Sequence, residues 1–147
     1  MAKLKNFNIP KVLHHMQGTP SSMQKNPRYK NVLLDIYDFF EKKISNISNN
    51  NKIILDPGIG FGKTLKHNLT LISKISLFHS LGLPILVGTS RKRFINQISG
   101  VYDSNDRTGG TLASVLYLLS QGVQIFRVHN VREVKQGIMV YEKINEK

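Results

Sequence analysis

Apolar residues along the chain recur in two rhythms. Short, nearly continuous runs rich in Ile, Val and Leu occur at KVLHHM (11–16), KIILD (52–56), PILVG (84–88) and QIFRV (124–128). Runs of this length and composition read as buried strands. After each run the spacing lengthens to that of a helix. Val32, Leu33, Ile36, Phe39, Phe40, Ile44 and Ile47 follow the first run, and Leu69, Ile72, Ile75 and Phe78 follow the second. Leu112, Val115, Leu116 and Leu119 follow the third, and Val131, Val134, Ile138 and Tyr141 the fourth. The pattern predicts an α/β chain, strand then helix four times over, with the Asn-rich run SNISNNNK (45–52) as a polar surface loop.

Strands without alternation, separated by amphipathic helices, imply a parallel sheet covered by helices. An open doubly wound sheet would carry its glycine-rich loop after the first strand; here that loop is MQGTPSSMQ, and the glycines follow the second. A (β/α) barrel instead gathers polar residues at the C-terminal tips of several strands. His15, Asp56, the Thr89-Ser90-Arg91-Lys92 run, Arg127 and His129 fall at such tips. Four units are half of the eight that close a barrel. The expectation is a single partial domain over residues 1–147, with two open sheet edges and modest stability as a monomer.

Composition narrows the classes of function. At 147 residues and 40% hydrophobic content the chain can bury a core. No stretch has the roughly 18 apolar residues of a membrane helix, and MAKLKNFNIP lacks the apolar core of a secretory signal, so no membrane association and a cytoplasmic setting are expected. There is no cysteine, so a metal would need oxygen or histidine ligands. A net charge of +12 suits anionic partners. The lysines are scattered, without a basic stripe interleaved with aromatics, which favours a solvated surface over a nucleic-acid footprint.

The loop LDPGIGFGKT (55–64) resembles a phosphate loop but has Pro57 where the first glycine should stand. Asp56 before Pro-Gly reads either as a turn residue capping its own backbone or as a carboxylate accepting two hydrogen bonds from an amidine-like N–H pair. Gly58, Gly60 and Gly62 would let backbone approach a ligand, with Phe61 as a flat wall or as core. In QIFRVHN, period-two alternation puts Arg127 and His129 on one face, a pair suited to an anion such as a phosphate group, or simply to water or Glu133. GTSRKRF reads as a Ser90 N-cap and a helix from Arg91, whose cations oppose the helix dipole unless an anion or polar ring faces them. His67 and His79 lie within helical patterns, and His14 and His15 have no carboxylate at ligand spacing.

Taken together, MQGTPSSMQKNPRY, ILDPGIGFGKTLKHN, LPILVGTSRKRFI and GGTLASVLYLLSQGVQIFRVHNV resemble successive motifs of the C-terminal half of dihydropteroate synthase, from His15 to about Val140. The resemblance implies a TIM-type (β/α)8 barrel that joins 7,8-dihydropterin-6-ylmethyl diphosphate to 4-aminobenzoate, releasing diphosphate, in folate synthesis; it is the sulfonamide target. By motif, Asp56 pairs with the pterin ring, and Lys92 stands at the pterin and aminobenzoate pockets. Phe61 and Ser90 line the aminobenzoate side, and Arg127, Val128 and His129 bind diphosphate. No acid or base is implied. Mg2+ would assist the leaving group, its ligand coming from the N-terminal half, which this sequence does not contain. Partners implied are the two substrates, an N-terminal half chain, and a second copy in a homodimer. Two departures are Asn130 for the family's usual Asp and His14 for an apolar residue. The alternative is an inactive truncated or split half barrel serving only as a binding or assembly module.

Overall fold

The computed structural model describes residues 9–47 and 52–146, so residues 48–51 of the predicted Asn-rich loop lie outside the described residues. The elements run β1 (Lys11–His14), α1 (Val32–Ile44), β2 (Ile53–Asp56), α2 (Leu65–Ser73), β3 (Leu86–Val87), α3 (Arg93–Ser99), α4 (Thr108–Ser120), β4 (Ile125–Phe126) and α5 (Val131–Asn145). β1 and β2 pair in parallel from Lys11↔Ile53 to His14↔Asp56. A single parallel bridge, Leu55↔Ile85, leads to β3, which pairs in parallel with β4. Each strand thus lies beside its neighbour in sequence, the order of half an eight-stranded barrel. Among the described residues, β1 pairs only with β2 and β4 only with β3, leaving both outer edges open.

The core forms where the two sequence rhythms meet. Leu13, Leu55, Ile85 and Val87 from the sheet region pack with Ile36, Phe40, Leu71, Ile75, Phe78 and Leu118 from the helical layer. In α1 the buried residues Val32, Ile36 and Phe40 recur every fourth position, and Asn31 caps the helix by accepting from the Leu33 and Leu34 N–H groups. Ile47, predicted on this helix, lies beyond its end but still packs against the core.

The predicted helix through Leu69, Ile72, Ile75 and Phe78 is broken in two. α2 stops at Ser73, Lys74 takes φ −124°, and Ile75–Leu81 forms a 3-10 segment. With three residues per turn, Ile75, Phe78 and Leu81 fall on one face, and Ile75 and Phe78 are completely buried. The i, i+3 spacing is common to both helix types, so the pattern alone did not separate them. No helix among the described residues is long and apolar enough to cross a membrane.

Candidate active site

β2 ends at Asp56, and the register with β1 sets His14 directly beside it. Asp56 is 1% exposed. Its Oδ1 accepts from the Gly58 N–H at 2.8 Å, while Oδ2 accepts from His14 Nδ1 at 3.0 Å and from the Arg127 guanidinium at 3.3 Å. The turn-capping reading of this aspartate holds at one oxygen, while the other takes side-chain donors of the chain itself. Burial alone would raise the carboxyl pKa, but the His14 and Gly58 hydrogen bonds and the Arg127 charge outweigh it and hold the group below its usual range.

Arg127 follows β4 and crosses to Asp56 over Gly88, where a Cβ would lie 3.3 Å from its guanidinium nitrogens. Its side chain is 57% exposed and has Asp56 as counter-charge. Of the two readings of Arg127, partial exposure to water fits, with Asp56 and not Glu133 as the acidic neighbour, and the guanidinium stays open to an anion without depending on one. His129 is also exposed, with half-buried Val128 between the two.

Ser90 is not a helix cap. α3 starts at Arg93, with Lys92 as its N-cap residue and no side-chain cap bond. The buried Ser90 hydroxyl instead accepts from the His129 N–H at 3.2 Å and sits 2.9 Å from His129 Nδ1. A hydroxyl proton donated to Nδ1 would leave the ring's own proton on Nε2. The later helix start also leaves only Arg93 of the three cations in the first turn, which removes most of the expected conflict with the helix dipole.

The glycines of the loop serve internal contacts more than the expected approach to a ligand. Gly58 and Gly62 have φ +70° and +61°, and a Cβ would come within 2.0 Å of the His15 carbonyl oxygen at the first and 2.8 Å of the Gln17 carbonyl oxygen at the second. The loop is pressed against the segment leaving β1. Gly60 faces Lys92, as its Cβ would lie 3.1 Å from Lys92 Cδ. Lys92 lies over Phe61 with Nζ 3.9 Å from the ring centroid, and His14 meets the same ring edge-on at 4.8 Å. Phe61 is thus a platform in the site. Burial, then the nearby Arg127 charge, lowers the Lys92 pKa despite Asp56.

Three contributors differ from the sequence reading, which gives Lys63 and His14 no role in the site and places Arg91 only as a cation at a helix start. Lys63 is 4% exposed, with Nζ donating to the Phe61 carbonyl at 2.9 Å and lying 3.2 Å from His15 Nδ1. Burial lowers its pKa to about 7, partly offset by Asp56, and burial with the Lys63 charge lowers His15 to about 4. His14 is the second, and its pairing with Asp56 follows from the β1–β2 register. Arg91 is the third. It adopts φ +59°, donates to Asn105 and Asn130, and its carbonyl accepts from Arg107. Asn130, standing where the resemblance leads one to expect Asp, still supplies the acceptor. Next to Lys92 opens a cleft of about 530 Å³ whose lining includes Lys63, Arg91, Lys92, Arg93 and Arg107 and no carboxylate. His67 completes a capping box with Thr64, and His79 bonds the Gln121 carbonyl. Among the described residues no group of three or more His, Asp or Glu side chains could hold a metal ion.

Asp56 with Arg127, Phe61 with Lys92, and Ser90 with His129 therefore form three linked pairs at one end of the sheet. The family described as pterin binding enzyme matches residues 1–129. The dihydropteroate synthase of Escherichia coli strain K12 is 40% identical over 138 residues, which cover 91% of this chain and 49% of that protein. The crystal structure of Yersinia pestis dihydropteroate synthase with a sulfonamide drug complex superposes with a TM-score of 0.87 at 40% identity, over 92% of this chain and 50% of that one. Thermus thermophilus dihydropteroate synthase, solved with 4-aminobenzoate and with 6HMPPP, gives a TM-score of 0.86 at 37% identity, over 92% of this chain and 56% and 55% of those chains. The chain spans about half the length of these relatives. With its family match, strand order and loop geometry in agreement, the chain belongs to the pterin-binding enzymes and has the fold of half of their TIM barrel.

Proposed function

We propose that this chain carries the ring- and diphosphate-binding half of a dihydropteroate synthase. The observation that carries the reading is the meeting, at the C-terminal ends of β2, β3 and β4, of a buried ionised carboxylate, a lysine seated on an aromatic ring and an exposed Arg-His pair. In this reading Asp56 accepts N–H donors of the pterin ring, and Phe61 with Lys92 borders both the ring and 4-aminobenzoate. Arg127 and the His129 Nε2–H face the diphosphate, with Val128 setting their spacing and Ser90 the imidazole's orientation.

The reaction breaks the bond between the pterin methylene carbon and the diphosphate oxygen, whose electron pair leaves with diphosphate. The aminobenzoate nitrogen then bonds to that carbon and releases a proton. Positive groups fixed at the departing oxygens lower the barrier most where charge develops. The described residues form no site for Mg2+, since the acidic group at the centre, Asp56, already faces the Arg127 cation and the His14 Nδ1 donor. No step is therefore assigned through a metal in this half. Four further βα units, in the same polypeptide or in a separate one, would complete the barrel, supply any Mg2+ ligand and act in the cytoplasm. A dimer of the complete barrel could use the exposed Met139, Val140 and Ile144 of α5.

The open edges of β1 and β4 favour a second reading, in which the chain alone is a binding or assembly module. The test is to supply the purified chain with both substrates and Mg2+, alone and mixed with a separately expressed N-terminal half. Dihydropteroate is expected only from the mixture. Product from neither sample, with substrate binding retained, would favour the module.

A further inference from the structure

An ionised carboxylate offers about four lone-pair positions, two on each oxygen. At Asp56 three are taken: one on Oδ1 by the Gly58 N–H, and both on Oδ2 by His14 and Arg127. A cyclic N–H pair binding in the carboxylate plane needs one position on each oxygen. Oδ1 can provide it, but Oδ2 cannot until a partner leaves. His14 is the better anchored of the two occupants. Its bond is the shorter, its side chain is 28% exposed against 57% for Arg127, and its ring is wedged between Phe61 and the Gly58 turn.

We propose that His14 is a specificity-determining residue of this site, whose Nδ1–H holds the Asp56 Oδ2 position that the second donor of an incoming ring requires. This rests on the reading of Asp56 as the ring acceptor. A ring with one N–H uses the open Oδ1 position and displaces nothing. A ring with two gains a second bond but breaks one already present, so its second donor contributes little. Replacing His14 by an apolar residue frees Oδ2 while Arg127 remains as counter-charge, and the second donor then counts in full. A hydrogen bond to a charged acceptor in a buried site is worth about tenfold or more in affinity.

The test compares 6-hydroxymethylpterin, which presents the 2-amino group and the ring N–H, with pteridin-4-one, which lacks the 2-amino group. Each is titrated into the wild-type chain, His14→Leu and His14→Gln. His14→Leu is expected to bind the pterin about tenfold more tightly and pteridin-4-one no differently, while His14→Gln, which keeps a donor, behaves as wild type. Equal pterin affinity in wild type and His14→Leu, or weaker binding by His14→Leu, overturns the proposal alone. No pterin binding by any form removes Asp56 as ring acceptor and takes the proposal with it. If His14→Leu does not fold, 15N-edited NMR of the wild type decides. Pterin binding should leave the His14 Nδ1–H hydrogen-bonded and perturb the Arg127 side-chain N–H signals, and loss of the His14 Nδ1–H signal to solvent exchange with the ring bound contradicts its hold on Oδ2.

Discussion

The two ends of the site are built on opposite terms. At the tip of β2, Asp56 is sealed from water and bonded by donors from three segments of the chain. Beyond β4, Arg127 and His129 are exposed, each with one side-chain partner, Asp56 for the first and Ser90 for the second. A buried carboxylate is rigid and ionised before any ligand arrives, which suits a planar ring whose donors must be met at fixed positions. Exposed cations suit a flexible, highly charged group whose attraction does not depend on close fit. The same comparison separates stability from binding, because truncating a sealed group unsettles the fold while truncating an exposed one mainly alters what it attracts.

The largest effect is expected at Asp56. Asp56→Ala leaves the buried Gly58 N–H and the His14 donor unpaired, and should cost about 3 kcal/mol of stability in urea denaturation. A loss under about 1 kcal/mol would show that the carboxylate is not the anchor described here.

The buried Lys63 gives the next effect. Its folded pKa of about 7 lies below the ordinary 10.5, so between those values the unfolded chain binds a proton that the folded chain does not. Stability should rise with pH through this window. His15, at about 4 against 6.5, acts in the same direction at lower pH. Urea midpoints at several pH values above neutrality should climb for the wild type and flatten for Lys63→Met; a wild-type profile already flat there would mean the amine is not buried as drawn.

Smaller effects follow at the open end. Ser90→Ala should lose about 1 kcal/mol and change the His129 tautomer seen by NMR, with helix content by circular dichroism unaltered. A drop in helix content would restore Ser90 as the cap of α3. Arg127→Ala should change stability by less than about 1 kcal/mol, as exposed ion pairs contribute little.

Much of this arrangement can be read in the chain because each strand run ends in a residue type unlike the run itself. Asp56, Arg127 and His129 stand out against Ile, Leu and Val, and the shift to helical spacing after each run marks which end of the strand they occupy. What escaped the reading depended on contacts across strands or on burial. The His14–Asp56 pair needs the β1–β2 register, and nothing local says that Lys63 folds inward onto the Phe61 carbonyl instead of pointing to solvent. Ser before a helical pattern is the ordinary sign of a cap, and Ser90 departs from it. The positive φ of Arg91 delays the helix and hands the hydroxyl to His129. The glycines do permit a close approach, but at Gly58 and Gly62 the approaching group is the chain's own backbone and not the ligand the sequence suggests.

The central claim is that ring recognition resides at Asp56 and diphosphate recognition at Arg127 and His129. Calorimetric titration of 6-hydroxymethylpterin and of inorganic diphosphate into the wild type, Asp56→Asn and Arg127→Ala tests it most directly. The account predicts that Asp56→Asn loses the pterin and keeps diphosphate, whereas Arg127→Ala keeps the pterin and binds diphosphate at least about tenfold more weakly. Loss of both ligands in a folded Asp56→Asn chain, or unchanged diphosphate binding in Arg127→Ala, would contradict it.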